Sequence, residues 1–314
     1  MDTNSTLTPL IKSLLAGTGI ALPDWPLEVG DPSGWGLAVD GGHVRMSVPP
    51  DPLDAASIRG GLGASTRQWL QLLEVHPVLG STNSRVLDLA AQGAAAGAVC
   101  LAELQTAGRG RRGRSWVTPL GGSLALSVGF SLQRPLSELG GLSLAVGLAL
   151  LDTLQSLGAA GLSLKWPNDL LHEHGKLAGV LIELKGAQRH GGTDVVVGIG
   201  LNVHLPGQIH DSIDQHIADL RGAGIEVRRN DLVARLLDSL LVYINAFDAA
   251  GFAPMREQYD QHHLLHGREC EIYRGDRVQA GRVQGVTKAG ELRVATSAGS
   301  ELLRAGEVSL RALG

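Results

Sequence analysis

The chain has 314 residues, 44% hydrophobic and 18% charged, with a formal net charge of −4. That length allows two or three domains with buried cores, and the charge excludes a general affinity for polyanions. Two distant cysteines, Cys100 and Cys270, exclude a disulfide framework and point to a reducing compartment; with no signal-like start and no apolar run longer than 142–151, a cytoplasmic protein is expected.

In chain order, residues 4–16 carry a helical pattern (Leu7, Leu10, Ile11, Leu14, Leu15) that Asn4 or Ser5 can cap and Gly17 ends. Prolines 23, 26 and 32 then interrupt residues 21–34. Residues 36–48 predict a hairpin around Asp40-Gly41-Gly42, and 49–64 a linker with a short helix near 54–59. Residues 1–60 hold three basic and seven acidic side chains, so this segment carries the acidity and the remainder is balanced.

The core begins near Trp69. Strands are predicted at 98–104, 123–132, 162–166, 176–184 and 194–204. Within 123–132, Leu124, Leu126, Val128 and Phe130 alternate with small residues, as in a half-buried strand. Helices are predicted at 137–157 (capped by Ser137), 214–220, 230–249 (capped by Asn230) and 254–262. After Gly267 the pattern changes to short segments at 270–273, 277–286, 291–295, 301–303 and 308–310. They are separated by Gly275-Asp276 and Ala289-Gly290, the pattern of a small antiparallel barrel. The expected units are 1–64, 65–266 and 267–314.

The most distinctive stretch is 105–116, Gln-Thr-Ala-Gly-Arg-Gly-Arg-Arg-Gly-Arg-Ser-Trp. Arg109, Arg111, Arg112 and Arg114 offer planar donor forks for phosphate or carboxylate oxygens, and the glycines let backbone approach an anion. A mobile loop closing over an anionic ligand is one reading, a solvated loop the other. The spacing also fits G-x-G-x-x-G, but Ser-Trp-Val-Thr-Pro follows where the dinucleotide fingerprint needs a helix. Other stretches are unusually polar for their places. Ser81-Thr82-Asn83 suits a helix cap, Lys165-Trp166-Pro167-Asn168-Asp169 a strand-ending turn, and Lys176 the solvated edge of an apolar strand. Gly198 and Gly200 weaken a strand unless something must lie close against it.

As an ordered series these stretches resemble the biotin–protein ligases, including the bacterial enzyme that doubles as a biotin operon repressor. The series is Ser-Thr-Asn, the arginine loop, Lys-Trp-Pro-Asn-Asp, Lys-Leu-Ala-Gly-Val-Leu and Gly-Ile-Gly-Leu-Asn-Val. It ends with Gly-Glu-Val-Ser-Leu-Arg at 306–311. The resemblance implies an α+β fold: a mixed β-sheet packed with helices, as in class II aminoacyl-tRNA synthetases and lipoate ligases. A small N-terminal winged-helix remnant and a C-terminal SH3-like β-barrel complete it.

The resemblance also implies a two-step reaction. Biotin and ATP give biotinyl-5′-adenylate, which a lysine of a biotin carboxyl carrier domain then attacks. It assigns Lys176 and Arg111 to catalysis. It places Ser81, Thr82, Asn83, Gln105, Arg109, Gly110, Arg111, Lys176, Gly179, Gly198 and Gly200 around biotin. Arg111, Arg114, Trp116, Lys165, Asn168, Lys176, Asn202 and Arg311 fall around ATP and the adenylate, with Trp116 stacking on adenine. Mg²⁺ should accompany ATP, with no direct protein ligands identified, and neither cysteine is needed for catalysis.

Two departures stand out. Only one helix and a wing-like hairpin of a winged helix-turn-helix are recognisable, in an acidic segment, so DNA binding is not expected. Gly80 precedes Ser-Thr-Asn where many relatives carry an acid. His172-Glu173-His174 and His262, His263 and His266 are taken as solvated histidines. The alternatives are a lipoate-type acyl ligase, a biotin-responsive repressor, and a nucleic-acid binder acting through the arginine loop. A homodimer is left open.

Overall fold

The structure is a computed structural model describing residues 3–187, 192–213, 215–274, 277–305 and 309–312. Helix α1 (Thr3–Leu15) buries Leu7, Ile11 and Leu14. It starts one residue before Asn4, so neither Asn4 nor Ser5 is its cap. Asn4 Oδ1 instead accepts from Thr106 Oγ1 at 2.8 Å. The proline-rich stretch forms three 3-10 turns, Leu22–Asp24, Leu27–Val29 and Pro32–Trp35. The short strand β1 (Ile20–Ala21) joins the predicted hairpin, β2 (Leu37–Asp40) and β3 (His43–Met46), in the order β1-β3-β2. Gly41 and Gly42 turn it with φ of 54° and 75°, the left-handed values a tight hairpin needs.

This N-terminal module is seated on the rest of the chain. Leu7, Ile11, Leu14, Trp25, Leu37 and Val44 share one apolar cluster with Val78, Leu104 and Leu120. Leu120 N donates to Trp35 O at 3.0 Å. The linker holds the predicted helix, α2 (Ala55–Gly61), which Asp54 caps through Ser57 N at 2.7 Å. A second helix, α3 (Ala64–Trp69), was not anticipated.

The central sheet has seven strands: β4 (Leu72–Leu79), β5 (Ala98–Gln105), β6 (Ser123–Leu132), β7 (Leu162–Lys165), β8 (Asp169–His172), β9 (Gly175–Ala187) and β10 (Thr193–Asn202). Their order is β4-β5-β6-β10-β9-β8-β7; β4 and β5 are parallel and the other pairs antiparallel. Helix α4 (Thr82–Ala91) packs on one face, against β5, β6 and β10. The apolar helices α5 (Leu142–Ser156) and α7 (Arg229–Ala250) join the larger core cluster with Val128, Phe130, Val197 and Ile199. Covering both faces corrects the half-buried reading of 123–132. The small residues of β6 face α4, and a Cβ on Gly129 would meet Ala95 O at 2.2 Å.

Other expectations are corrected by where side chains find partners. Ser137 lies in a 3-10 turn (Leu136–Glu138) and Gly141 occupies the cap position of α5. Asn230 lies inside α7; its amide accepts from Asp54 N and donates to Pro52 O. Of the helix expected at 214–220, residue 214 lies outside the described residues. Ile217 forms an extended bridge with Lys176, and the local helix is α6 (Gly207–Ser212). Strands β4 and β8 were not predicted.

Helix α8 (Arg256–His262) leads into a five-stranded antiparallel sheet. Its strands are β11 (Glu269–Arg274), β12 (Arg277–Val286), β13 (Leu292–Thr296), β14 (Gly299–Leu303) and β15 (Ser309–Ala312), ordered β14-β13-β12-β11-β15. The turn expected at Gly275-Asp276 lies outside the described residues. The Ala289-Gly290 turn sits on the central unit: Trp166 Nε1 donates to Gly290 O at 3.0 Å.

His263, expected to be solvated, is buried at this junction. Its ring stacks on Tyr259 at 5.6 Å, and neither ring nitrogen has a hydrogen-bond partner. Burial pushes its pKa down to about 3. The unfolded chain therefore takes up a proton near pH 6.5 that the folded chain refuses, so stability present above pH 6.5 is lost as pH falls toward 3. The loss should total about 5 kcal/mol. Urea titrations of wild type and His263→Phe across that range should diverge by most of this amount, with the variant the flatter.

Candidate functional site

The predicted residues converge at one end of β9 and β10. A cavity of about 160 Å³ is lined by Ser81, Thr82, Asn83, Gln105, Arg109, Gly110, Arg111, Arg114, Trp116, Asn168, Lys176, Gly179, Gly198, Gly200 and Asn202. Across the arginine loop it adjoins a groove of about 960 Å³ that shares Arg109, Arg111, Arg114 and Asn168. One predicted residue with a described side chain is not brought in. Lys165 ends β7 opposite Asp169 and does not line the cavity. The backbone of Arg311 lies in β15 opposite Glu271, and its side chain is outside the described residues.

The floor explains the strand glycines. A Cβ on Gly198 would lie 2.1 Å from Asn83 Oδ1, and one on Gly200 would lie 2.2 Å from the Trp116 ring. The sheet is left bare there because an amide and an indole lie directly against it. Ser81 occupies the N-cap position of α4 but makes no capping bond with its side chain. Gln105 Oε1, from β5, accepts from Thr82 N at 2.9 Å, while Gln105 Nε2 donates to Thr118 Oγ1. Ser127, fully buried on β6, donates to Asn83 Oδ1 at 2.5 Å and lies 2.8 Å from Thr82 Oγ1.

The cationic wall is built from two directions. Lys176 Nζ lies 2.8 Å from Asp169 Oδ1 and 5.5 Å from the centre of a Trp116 ring. Its backbone is held from outside the sheet: Lys176 N donates to His216 O and Ala218 N donates to Lys176 O. Asn202 secures the same segment, its amide donating to Lys176 O and Ala218 O. From the loop, Arg111 Nη1 donates to Asn168 Oδ1 at 2.8 Å. Burial first, and then neighbouring Arg112, lower the Arg111 pKa. A guanidinium this basic stays charged after such a shift and gains strength as a partner for anions. Arg109 Nη2 reaches Glu183 Oε2 at 2.7 Å.

Three polar residues of this arrangement were not assigned from sequence. Ser127 looked like one small residue in an alternating strand. Asp169 was named within its motif but given no role. Glu183 interrupts an apolar strand, which is a signal for a buried partner. The cavity thus pairs fixed neutral hydrogen-bonding groups at one end with a lysine and arginines at the other, suiting a ligand with a polar head and an anionic reacting group.

Comparison with known proteins identifies the family. The chain matches the Biotin/lipoate A/B protein ligase family over residues 75–202 and the Biotin protein ligase C terminal domain over 265–311. It is 33% identical over 290 residues to the bifunctional ligase/repressor BirA of Escherichia coli, covering 92% of this chain and 86% of that one. It is 38% identical over 195 residues to the biotin–[acetyl-CoA-carboxylase] ligase of Mycobacterium tuberculosis, covering 60% of this chain and 70% of that one. Among solved structures, the biotin protein ligase from Aquifex aeolicus in complex with biotin and ATP superposes with a TM-score of 0.66 at 27% identity. That match covers 78% of this chain and all of the other. These relatives do not favour a lipoate-type alternative. With its cavity, its mixed sheet and both matched regions in place, the chain belongs to the biotin protein ligase family and is a ligase.

Proposed function

We propose that this ligase carries out ATP-dependent biotin ligation in the cavity under the arginine loop, with Lys176 at the point of reaction. The observation carrying the assignment is the placement of Lys176 Nζ among Asp169, Trp116 and the loop arginines. Forming an acyl adenylate brings a carboxylate against a triphosphate. Fixed cations must offset that repulsion and the charge gathering on the α-phosphate. Lys176 contacts the biotin carboxylate and the α-phosphoryl oxygens, and Arg111 contacts the phosphoryl group. Ser81, Thr82, Asn83 and Gln105 line the biotin site and bond the ureido and carboxylate ends of biotin. Trp116, with Arg114 and Asn168, takes the nucleotide.

Magnesium enters as part of the ATP substrate. Among the described residues, the one cluster with three close metal-ligating groups is Glu74, His76 and Cys100, which does not line the cavity. Glu74 there is already bound by Arg85 through both oxygens, which with burial working against it holds its pKa near about 2.

The acceptor is a biotin carboxyl carrier domain of a biotin-dependent carboxylase, in the cytoplasm. Among the described residues no helix is long and apolar enough to cross a membrane. Self-association would use the outer half of β9, which beyond Val180 pairs, among the described residues, with β10 alone. The acidic N-terminal module, with 3-10 turns where two helices would stand, does not bind operator DNA in this reading; a gel shift with a biotin operator tests it.

The deciding assay is transfer of labelled biotin to a carrier domain, with ATP, magnesium or acceptor omitted in turn and with excess lipoate. Transfer that needs all three and survives lipoate supports the proposal; transfer of lipoate instead overturns it. In the same assay Arg111→Ala should release biotinyl adenylate into solution and lower transfer on the order of 100-fold, as expected for a lost donor at developing charge. Retention equal to wild type would remove Arg111 from the site.

A further inference from the structure

The arginine loop is a small hairpin with its own internal bonds. Gly110 N donates to Arg114 O at 2.7 Å, Trp116 N donates to Gly108 O at 3.0 Å, and Arg109 bridges Ser115. Its side-chain ties to the rest of the chain include Arg111 to Asn168, in the turn between β7 and β8, and Arg109 to Glu183 on β9. The second tie has an unusual partner. One oxygen of Glu183, Oε2, accepts from both Arg109 Nη2 at 2.7 Å and Asn83 Nδ2 at 2.8 Å. Asn83 is buried, pressed on Gly198 and bonded to Ser127, so it is part of the cavity floor. Glu183 therefore joins the cavity floor to the arginine loop through a single atom.

The two halves of this junction differ in exposure. The Asn83 side is dry, whereas the side chains of Arg109 and Glu183 are 41% and 24% exposed. A partly solvated charge pair breaks and reforms at low cost, while a buried amide bond keeps its geometry. We propose that Glu183 is a positioning residue of the ligation reaction: it latches the arginine loop shut through Arg109 and registers that closure to the biotin end of the cavity through Asn83. The role rests on the biotin-ligase assignment of the cavity, but the latch itself is a property of the loop.

The test uses the full chain and Glu183→Gln. The glutamine carbonyl still accepts from Asn83, so the floor is kept while the charge on Arg109's partner is lost. The first readout, independent of biotin, is the rate of trypsin cleavage within residues 109–114. It should rise about three- to fivefold, the range open to a partly exposed ion pair. Added salt should raise wild-type cleavage toward the variant and leave the variant unchanged. The second readout is escape of biotinyl adenylate, which should rise by a similar factor while the melting temperature holds. Glu183→Asp should recover part of both. Cleavage unchanged in Glu183→Gln, or a lowered melting temperature with unchanged escape, overturns the latch. Faster cleavage with no adenylate formed by wild type keeps the latch and defeats the biotin reading.

Discussion

Lys176→Ala should abolish adenylate formation, lowering it on the order of 1000-fold, while the protein still folds. The expectation separates chemistry from structure because Lys176 is fixed mainly by its backbone, between His216 O and Ala218 N, which alanine retains. The side chain contributes a charge next to Asp169 and Trp116. Removing it leaves Asp169 without its cation, so a modest loss of melting temperature is also expected. The double variant Lys176→Ala/Asp169→Asn should regain that stability and none of the activity. Pyrophosphate exchange measured with biotin and ATP reads the first step alone. Near-normal exchange in Lys176→Ala would move the reacting point away from this lysine.

The largest effect on stability should come from a buried pair that does not line the cavity. Arg229, at the start of α7, and Glu103, on β5, are 1% and 2% exposed and lie 2.9 Å apart. Glu103 Oε1 also accepts from Leu53 N, and the guanidinium donates to Asp51 O and Ser123 O. One ion pair thus ties the linker, the sheet and the long helix together. Arg229→Met should cost about 3 to 5 kcal/mol, because it strands a buried carboxylate rather than merely deleting a contact. Arg229→Met/Glu103→Leu should cost clearly less than the sum of the two single changes. Denaturant midpoints of the four proteins form the cycle, and simple additivity would show that the charges do not interact.

Much of the site was legible in the sequence because its chemistry requires uncommon residues in uncommon places. Gly198 and Gly200 signalled a close approach to a strand, and Asn83 and Trp116 supply it. The composition of the arginine loop left an anion site and a solvated loop both open, and its place beside Lys176 in one cavity favours the first. Glu183 was hidden because its partners, Asn83 and Arg109, lie 100 and 74 residues away in sequence. Strand β4 was missed because Glu74, His76 and Pro77 break its alternation; Glu74 and His76 bond each other, and Arg85 of α4 bonds Glu74. The 214–220 segment carried a helix-like pattern, yet pairing with Lys176 draws its described part out into extended backbone. Asn230 was expected to cap a helix because the residue type favours it, but a distant backbone group claimed its amide. For Glu183, Ile217 and Asn230 a long-range partner overrode a local preference.

The position of Trp116 has an optical consequence. Its indole lies across Gly200 in the cavity, beneath the Lys176 ammonium, and its ring N–H is buried without a partner. Indole emission responds to nearby charge and to hydrogen bonding, so this side chain carries a built-in fluorescent signal for what enters the cavity. Trp25 and Trp166 are buried in apolar clusters and donate to Gly30 O and Gly290 O. They supply a steady background against which filling of the cavity can be followed without a label.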